Sequence, residues 1–185
     1  MIEELIRDAE RRMDKSVEAT LHELNSVRTG RASAALLDRI QVYYYGQPTP
    51  LKQLAAINVP EPRLLTIQPF DPSTLRAIEK AIMESDLGLQ PSNDGKVIRL
   101  PIPQLTEERR KELVRLVRHM AEEGRVAVRN VRRDAIHRLK ELVDSGQVGA
   151  DEERRAEERV QKLTDEHVHR VDELLKRKEA EIMEV

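Results

Sequence analysis

The stretch Thr106–Gly146, TEERRKELVRLVRHMAEEGRVAVRNVRRDAIHRLKELVDSG, decides the fold. It holds no proline, and Leu113, Val117, Met120, Gly124, Val131, Ala135 and Leu142 lie along one side of it at helical spacing. Thr106, followed by two glutamates, is the N-cap of a helix predicted over about 107–143. At 1.5 Å per residue such a helix is about 55 Å long. A compact globule of this chain length has a diameter of roughly 40 Å. The helix does not fit inside it, so an elongated molecule is expected.

Two further helices flank this one. Residues 1–29 carry a seam of Ile2, Ile6, Ala9, Met13, Ser16, Thr20, Leu24 and Val27, which turns polar at Ser16 and Thr20. Thr29-Gly30 ends it, with Gly30 the natural left-handed residue after a helix. Beyond the break Asp144–Gly149, a third helix is expected from about Asp151 to about Met183, with its seam at Ala156, Val160, Leu163, His167, Val171 and Leu174. None of the three buries its stripe alone, which predicts a three-helix bundle from residues 1–30 and 105–185.

Residues 31–104 differ in kind. All nine prolines, all three tyrosines and the one phenylalanine fall here. Ile40 to Tyr45 alternates as a strand, Gly46–Pro50 breaks it, and Arg63 to Gln68 is a second strand. Asp71-Pro72 caps a short helix with Leu75, Ile78 and Ile82 on its apolar face. Leu87 to Leu89 is extended, Asn93-Asp94-Gly95 turns, and Lys96 to Ile102 closes the module as a strand. The fold class is therefore α+β, mainly α: a three-helix bundle with a small β/α/β domain inserted between helices one and two. Two short connections, Thr29-Gly30-Arg31 and Pro103-Gln104, join the parts as a hinge, loosened by glycine and stiffened by proline.

Composition excludes several classes. The 185 residues are 36% charged and 2% aromatic, with no cysteine, which removes disulfide scaffolds, zinc ribbons and thiol nucleophiles. No apolar run reaches the length of a membrane span. The acidic start Met-Ile-Glu-Glu does not read as a signal peptide, and a cytoplasmic protein is expected. No phosphate-binding loop, nucleophile elbow or metalloprotease signature occurs, so no enzyme activity, metal or cofactor is expected. His167 and His169 point in different directions on a helix and make no simple metal pair; His167 reads as a core-edge residue.

The net charge of −2 hides a split. Arg109–Lys140 holds 11 basic and 4 acidic residues, a net of +7, whereas Glu141–Val185 holds 8 and 14, a net of −6. At about 100° per residue, Arg118, Arg125, Arg129 and Arg132 fall within about 60° of one another. Lys111 shares their direction, and Arg115 and Arg133 flank it. Guanidinium groups in a row suit bidentate contact with phosphates. With no aromatics interleaved, backbone contact to folded RNA fits better than base stacking. A solvated face partly paired with Glu122 or with the third helix is the competing reading. A helical scaffold remains as a second function class, and it leaves the clustering unexplained.

Several stretches carry a further signal: Arg28-Thr29-Gly30-Arg31-Ala32, Asp86-Leu87-Gly88-Leu89, Asn93-Asp94-Gly95, the run Pro103 to Leu113, and the run Glu123 to Arg133. In order and along nearly the whole chain they resemble the bacterial ribosome recycling factor family. The resemblance implies an L-shaped, monomeric, non-catalytic factor that binds rRNA of the large ribosomal subunit on the 70S post-termination ribosome. With elongation factor G, and GTP used by that partner, such a factor splits the subunits for reuse. It implies rRNA contacts at Arg110, Arg129 and Arg132, a hinge at Gly30-Arg31, and an inserted domain facing the translocase. Arg110 lies about 40° beyond Arg132, so the phase of the stripe supports it less well. Ala150 stands where the family commonly has a Ser or Thr cap, which alters the start of helix three.

Overall fold

The computed structural model describes residues 1–184. The chain runs α1 (Ile2–Asn25), β1 (Gln41–Tyr44), β2 (Gln47–Pro50), the single-turn α2 (Leu51–Leu54), β3 (Ala55–Glu61), β4 (Leu64–Pro69), α3 (Leu75–Glu84), β5 (Ser92–Asn93), β6 (Ile98–Pro101), α4 (Glu107–Asp144) and α5 (Ala150–Met183). Short 3-10 turns lie at Ala34–Leu37 and Pro72–Thr74. Two compact units result: Met1–Arg28 with the residues from Thr106 onward, and Thr29–Leu105. Thr29, Gly30 and Leu105 thus group with the inserted unit rather than with the helices. Gly30 lies against Leu105, where a Cβ would stand 3.0 Å from Leu105 Cγ.

The first unit is a bundle of α1, α4 and α5. α1 runs antiparallel to α4, with Arg12 on Asp134 at 2.9 Å and Arg138 on Asp8 at 3.3 Å. It runs parallel to α5, with Arg159 on Glu3 at 2.6 Å and Arg170 on Asp14 at 2.9 Å. The core joins Leu5, Ile6, Ala9, Met13 and Val17 to Ala121, Val128, Val131, Ala135 and Leu139 of α4, and to Ala156, Val160 and Val171 of α5. A fully buried Leu, Ile or Val stabilises by about 1.5–3 kcal/mol. Thr106 caps α4 as its sequence position requires, its Oγ1 accepting the Arg109 N–H at 3.1 Å. Gly146, at φ +76°, closes the other end by donating to Val143 O at 2.9 Å.

Details of the seams depart from the sequence reading. α1 stops at Asn25, because Ser26 turns its N–H and its Oγ onto Glu23 O at 3.1 and 2.6 Å, a local bond that competes with further helix. Val17 is the buried seam residue, and Ser16 is half-buried with its hydroxyl donating to Arg12 O. In α4 the buried positions include Ala121, Val128 and Leu139, with Met120 and Leu142 at the margin. In α5, Thr164, Lys178 and Ile182 are buried, and Leu163 and Leu174 are marginal. α5 begins at Ala150 with Gly149 before it and no side-chain cap.

His167 lies deep in the bundle at 3% exposure rather than at its edge. Its Nδ1 is 2.6 Å from Leu163 O and its Nε2 2.6 Å from Asp14 Oδ1, which also accepts from Arg170 at 2.9 Å. The hydrogen bond from His167 holds the Asp14 carboxyl below the ordinary carboxylate range; partial burial opposes this and Arg170 adds to it.

The inserted unit has a four-stranded antiparallel sheet in the order β3-β4-β6-β5 and a separate β1–β2 hairpin. Leu37, Val42, Leu65, Ile67, Ile98 and Leu100 pack with Ile78 and Ile82 of α3 in its core. Asp71 caps the Pro72–Thr74 turn that leads into α3 by accepting the Ser73 N–H at 3.0 Å. Two expectations are corrected, and one strand was not anticipated. Gln47–Pro50 is a strand, since prolines are tolerated where no partner lies on the far side. Ala55–Glu61 is a strand despite Asn58 and Pro60, with an irregular register between Asn58 and Glu61. Leu87–Leu89 has no strand partner; the pairing falls at Ser92–Asn93.

Two outcomes follow from the bundle. A Cβ on Gly124 would stand 3.1 Å from Thr20 Cγ2 and closer still to its Oγ1, which is tied to Ser16 O at 2.9 Å. Gly124→Ala gains about 1 kcal/mol of helix propensity, yet the forced separation of α1 and α4 costs about 1–3 kcal/mol. A lower melting temperature is expected, with recovery in the Gly124→Ala/Thr20→Ala double variant. For Asp14, a depressed carboxyl contributes stability above its unfolded titration range and loses it as pH falls through the folded one. Acid unfolding should therefore show a shallower stability slope below the ordinary carboxylate range in Asp14→Asn than in the parent, measured by urea denaturation at stepped pH.

Candidate nucleic-acid interface

The arginines of α4 share one helix, and the acids of α5 divide them into two groups. Because α5 runs back along α4, its net negative charge lies opposite the stripe. Arg118 donates to Glu179 at 2.7 Å. Arg125 donates to Asp172 at 2.7 Å and to Glu122 at 2.9 Å. The hydrogen bond and charge of Glu179 raise Arg118 further above its already high value. Burial lowers Arg125, and its bonds to Asp172 and Glu122 outweigh that and raise it. Arg125 is the most enclosed of these pairs, with 19% of its side chain exposed. Both residues are therefore committed to the bundle.

The next turn is different. Arg129 is 44% exposed, and its one ion pair among the described residues, to Glu122 at 3.8 Å, is with a carboxylate already held closer by Arg125. Arg132 donates to the neutral Gln161 at 3.2 Å, while Gln161 itself donates to Asp165 at 2.9 Å. Arg133 is exposed and donates to the neutral Asn130 at 3.4 Å. Neutral partners orient a guanidinium without cancelling its charge. Arg129, Arg132 and Arg133 thus form a weakly compensated run of the stripe, on a helix whose backbone fixes their spacing.

Arg110 stands apart, in the first turn of α4. It is half-buried, and its Nε is the one buried side-chain nitrogen or oxygen without a hydrogen-bond partner among the described residues. Arg115 is exposed and has no ion pair among the described residues. Lys111 reaches Glu107 only at 3.9 Å, with both side chains largely in water. Sequence reasoning placed the stripe and missed Asp172, Glu179 and Gln161, which select within it. The acidic net charge of the third helix was the available signal; the register of two antiparallel helices was not.

The predicted connection residues lie in the inserted unit. Gly30 has φ +77°, a left-handed conformation that suits glycine. Ala32 N–H donates to Pro62 O at 2.7 Å, and Ile102 N–H donates to Arg63 O at 2.8 Å. Both connecting segments are therefore tied to the same turn, between β3 and β4. Pro103 and Gln104 are exposed and outside regular structure. Among the described residues no group of acids and histidines could hold a metal ion, and no helix is long and apolar enough to cross a membrane.

A three-helix bundle with an inserted antiparallel α+β unit and a basic edge on its longest helix defines a narrow class of protein. The model of the ribosome recycling factor family matches residues 20–183. The ribosome-recycling factor of Rubrobacter xylanophilus is 62% identical over 180 residues, 97% of each chain. That of Geobacillus kaustophilus is 55% identical over 185 residues, the whole of both chains. A solution structure of a ribosome recycling factor superposes with a TM-score of 0.76 at 48% identity, covering 100% of this chain and 98% of that one. A T. thermophilus ribosome recycling factor, described with E. coli elongation factor G bound to the E. coli post-termination complex, gives 0.65 at 49% identity over the whole of both chains. The chain belongs to the ribosome recycling factor family.

The two groups of arginines predict opposite behaviour on truncation. Arg125→Ala leaves Asp172 without its partner and should lower stability by about 1–2 kcal/mol. Arg129→Ala should stay within about 0.5 kcal/mol of the parent. Thermal unfolding followed by circular dichroism reads both.

Proposed function

We propose that this protein recycles ribosomes: it binds rRNA of the large subunit on the 70S post-termination complex and, with elongation factor G and GTP, separates the subunits. The observation that carries the proposal is the weakly compensated run Arg129, Arg132 and Arg133 on one long helix, in a chain of this family. Phosphate oxygens accept from such a row without any reading of base sequence. Arg110, with a buried donor still unmatched, extends the anchor toward the start of α4. Arg118 and Arg125 belong to the stripe by phase, and carboxylates of α5 take up much of their charge.

The mechanism is mechanical. The arginine edge anchors the bundle on rRNA. The inserted domain, turning at Thr29, Gly30, Arg31, Pro103 and Gln104, takes the push of the elongation factor. The bundle transmits that push, which requires rigidity along its length. The protein forms and breaks no covalent bond and needs no cofactor; GTP is the partner's. It acts in the cytoplasm as a monomer. The relative described with elongation factor G on a post-termination complex supports the choice of partners.

Splitting of post-termination ribosomes, followed by light scattering with elongation factor G and GTP present, tests the proposal. Splitting should require this protein; none at any concentration refutes it. Arg132→Ala should weaken large-subunit binding about tenfold at unchanged helicity and reduce the dependence of log affinity on log salt by about one unit. Parent-like affinity in that variant would sink the anchoring step.

A further inference from the structure

We propose that His167 is held as a buried imidazolium, donating from both ring nitrogens, and that this doubly protonated ring is a proton-controlled lock between α5 and α1. Its side chain is 4% exposed. Nδ1 lies 2.6 Å from Leu163 O, within α5, and Nε2 lies 2.6 Å from Asp14 Oδ1, on α1. A backbone carbonyl only accepts. Asp14 Oδ1 also accepts from Arg170 Nη1 at 2.9 Å, and the fixed guanidinium charge keeps that oxygen a carboxylate acceptor. Both partners of the ring are therefore acceptors. A neutral imidazole has one N–H and one lone pair, so either neutral tautomer sets a lone pair against an oxygen at 2.6 Å. Only the ring with both protons satisfies both contacts.

The charge of the ring is answered by one carboxylate. Beside Asp14, α1 brings Met13 and Val17 to the core, and α4 brings Ala121, Val128, Val131, Ala135 and Leu139, all apolar. The enclosed Arg125 of α4 is taken up by Asp172 and Glu122, and Arg129 by Glu122. On α5 the residues one turn either side of His167 are Leu163, Thr164, Arg170 and Val171. Thr164 gives its hydroxyl to Val160 O, and Arg170 is the one charged member, bound to Asp14. Glu166 is exposed, and exposed His169 reaches Glu173 at 3.9 Å. His167 and Arg170 are the two charges that act on the Asp14 carboxylate. That carboxylate is 45% exposed, so water reaches the trio from its side and the proton has a route in and out.

The place of the ring makes its proton matter. The other ion pairs that tie α1 to its neighbours stand largely in water, Glu3 with Arg159 and Arg12 with Asp134 among them. Exposed pairs of that kind add little. The His167 bond to Asp14 is shielded on the side of the ring, where a charge-assisted hydrogen bond is stronger. Loss of either ring proton replaces a hydrogen bond with a lone pair facing an oxygen, so the ring must turn or α1 must move off α5. The stabilisation is complete while the ring keeps both protons, and it is lost as pH rises and the folded ring gives one up. Its sign is opposite to that of the Asp14 carboxyl, whose contribution is lost as pH falls. The α1–α5 seam is therefore tightest between the two titrations. The lock belongs to the bundle and holds whatever the bundle binds.

The test uses the full chain. Long-range proton–nitrogen NMR reads the protonation of each ring nitrogen, and His22, His119, His137 and His169, all exposed, give the reference in the same spectrum. At a pH where the exposed rings have become neutral, His167 should still show two protonated nitrogens. A neutral tautomer of His167 at that pH overturns the proposal. His167→Gln supplies the assignment, since its spectrum lacks that ring. From that pH to about two units higher, the urea unfolding constant of the parent should rise about tenfold relative to that of His167→Gln. An equal pH dependence in the two chains overturns the lock, even where the ring is doubly protonated. Should His167→Gln fail to fold, the ring is assigned in the parent through its nuclear Overhauser contacts with α1, and Asp14→Asn takes its place in the urea series.

Discussion

The approach of α1 to α4 at Thr20 and Gly124 is the constraint on which the bundle depends. Gly124 leaves no side chain between the helices, and Thr20 fills that space with its hydroxyl turned back onto its own helix at Ser16 O. A bundle core without aromatic rings has only aliphatic side chains of modest size to span it, so backbones must come close somewhere. Closeness at that level fixes the register of α1 against α4. The ion pairs Arg12–Asp134 and Arg138–Asp8 sit further along the same interface, in the phase that this register sets.

The register of α4 against α5 has a consequence for charge rather than for stability. Exposed ion pairs contribute roughly 0–1 kcal/mol each, so Arg118 on Glu179 adds little to the fold. It removes a positive charge from the field of the helix all the same. Arg125 is removed more completely, by two carboxylates. Moving toward Arg133, the partners become a shared carboxylate, then two neutral side chains. A stripe that is uniform in sequence is thus unevenly compensated in space. Its basic end is set by where α5 changes from Asp172 and Glu179 to Gln161.

How much of this was legible follows the physics of each signal. Helical period, the Thr106 cap and the Gly146 stop are local, and α4 lies where they place it. The Asp71-Pro72 cap and the Leu75, Ile78, Ile82 face of α3 are local too. The end of α1 was misjudged because Ser26 offers a competing bond that no periodicity registers. β3 escaped notice because Asn58, Pro60 and a register irregularity disguise its alternation, while its pairing with β4 is a tertiary fact. His167 looked marginal because its burial depends on Asp14, far away in the chain and adjacent in space. Selection among the arginines required the same kind of knowledge: helical phase gives a direction on one helix and says nothing of the charge on its neighbour.

The two connections of the inserted unit raise a related question of where backbone freedom lies. Ala32 and Ile102 each give their N–H to consecutive carbonyls, those of Pro62 and Arg63, in one turn. Those bonds bind the incoming and outgoing chain to a single rigid corner of the sheet. Few residues lie beyond those bonds, 29–31 on one side and 103–105 on the other. Within those, Pro103 has a fixed φ, and Gly30, though glycine, is confined by Leu105 against it. Within the inserted unit, the backbone of both connecting segments is thus held by the β3–β4 turn, by the proline ring and by the Leu105 side chain.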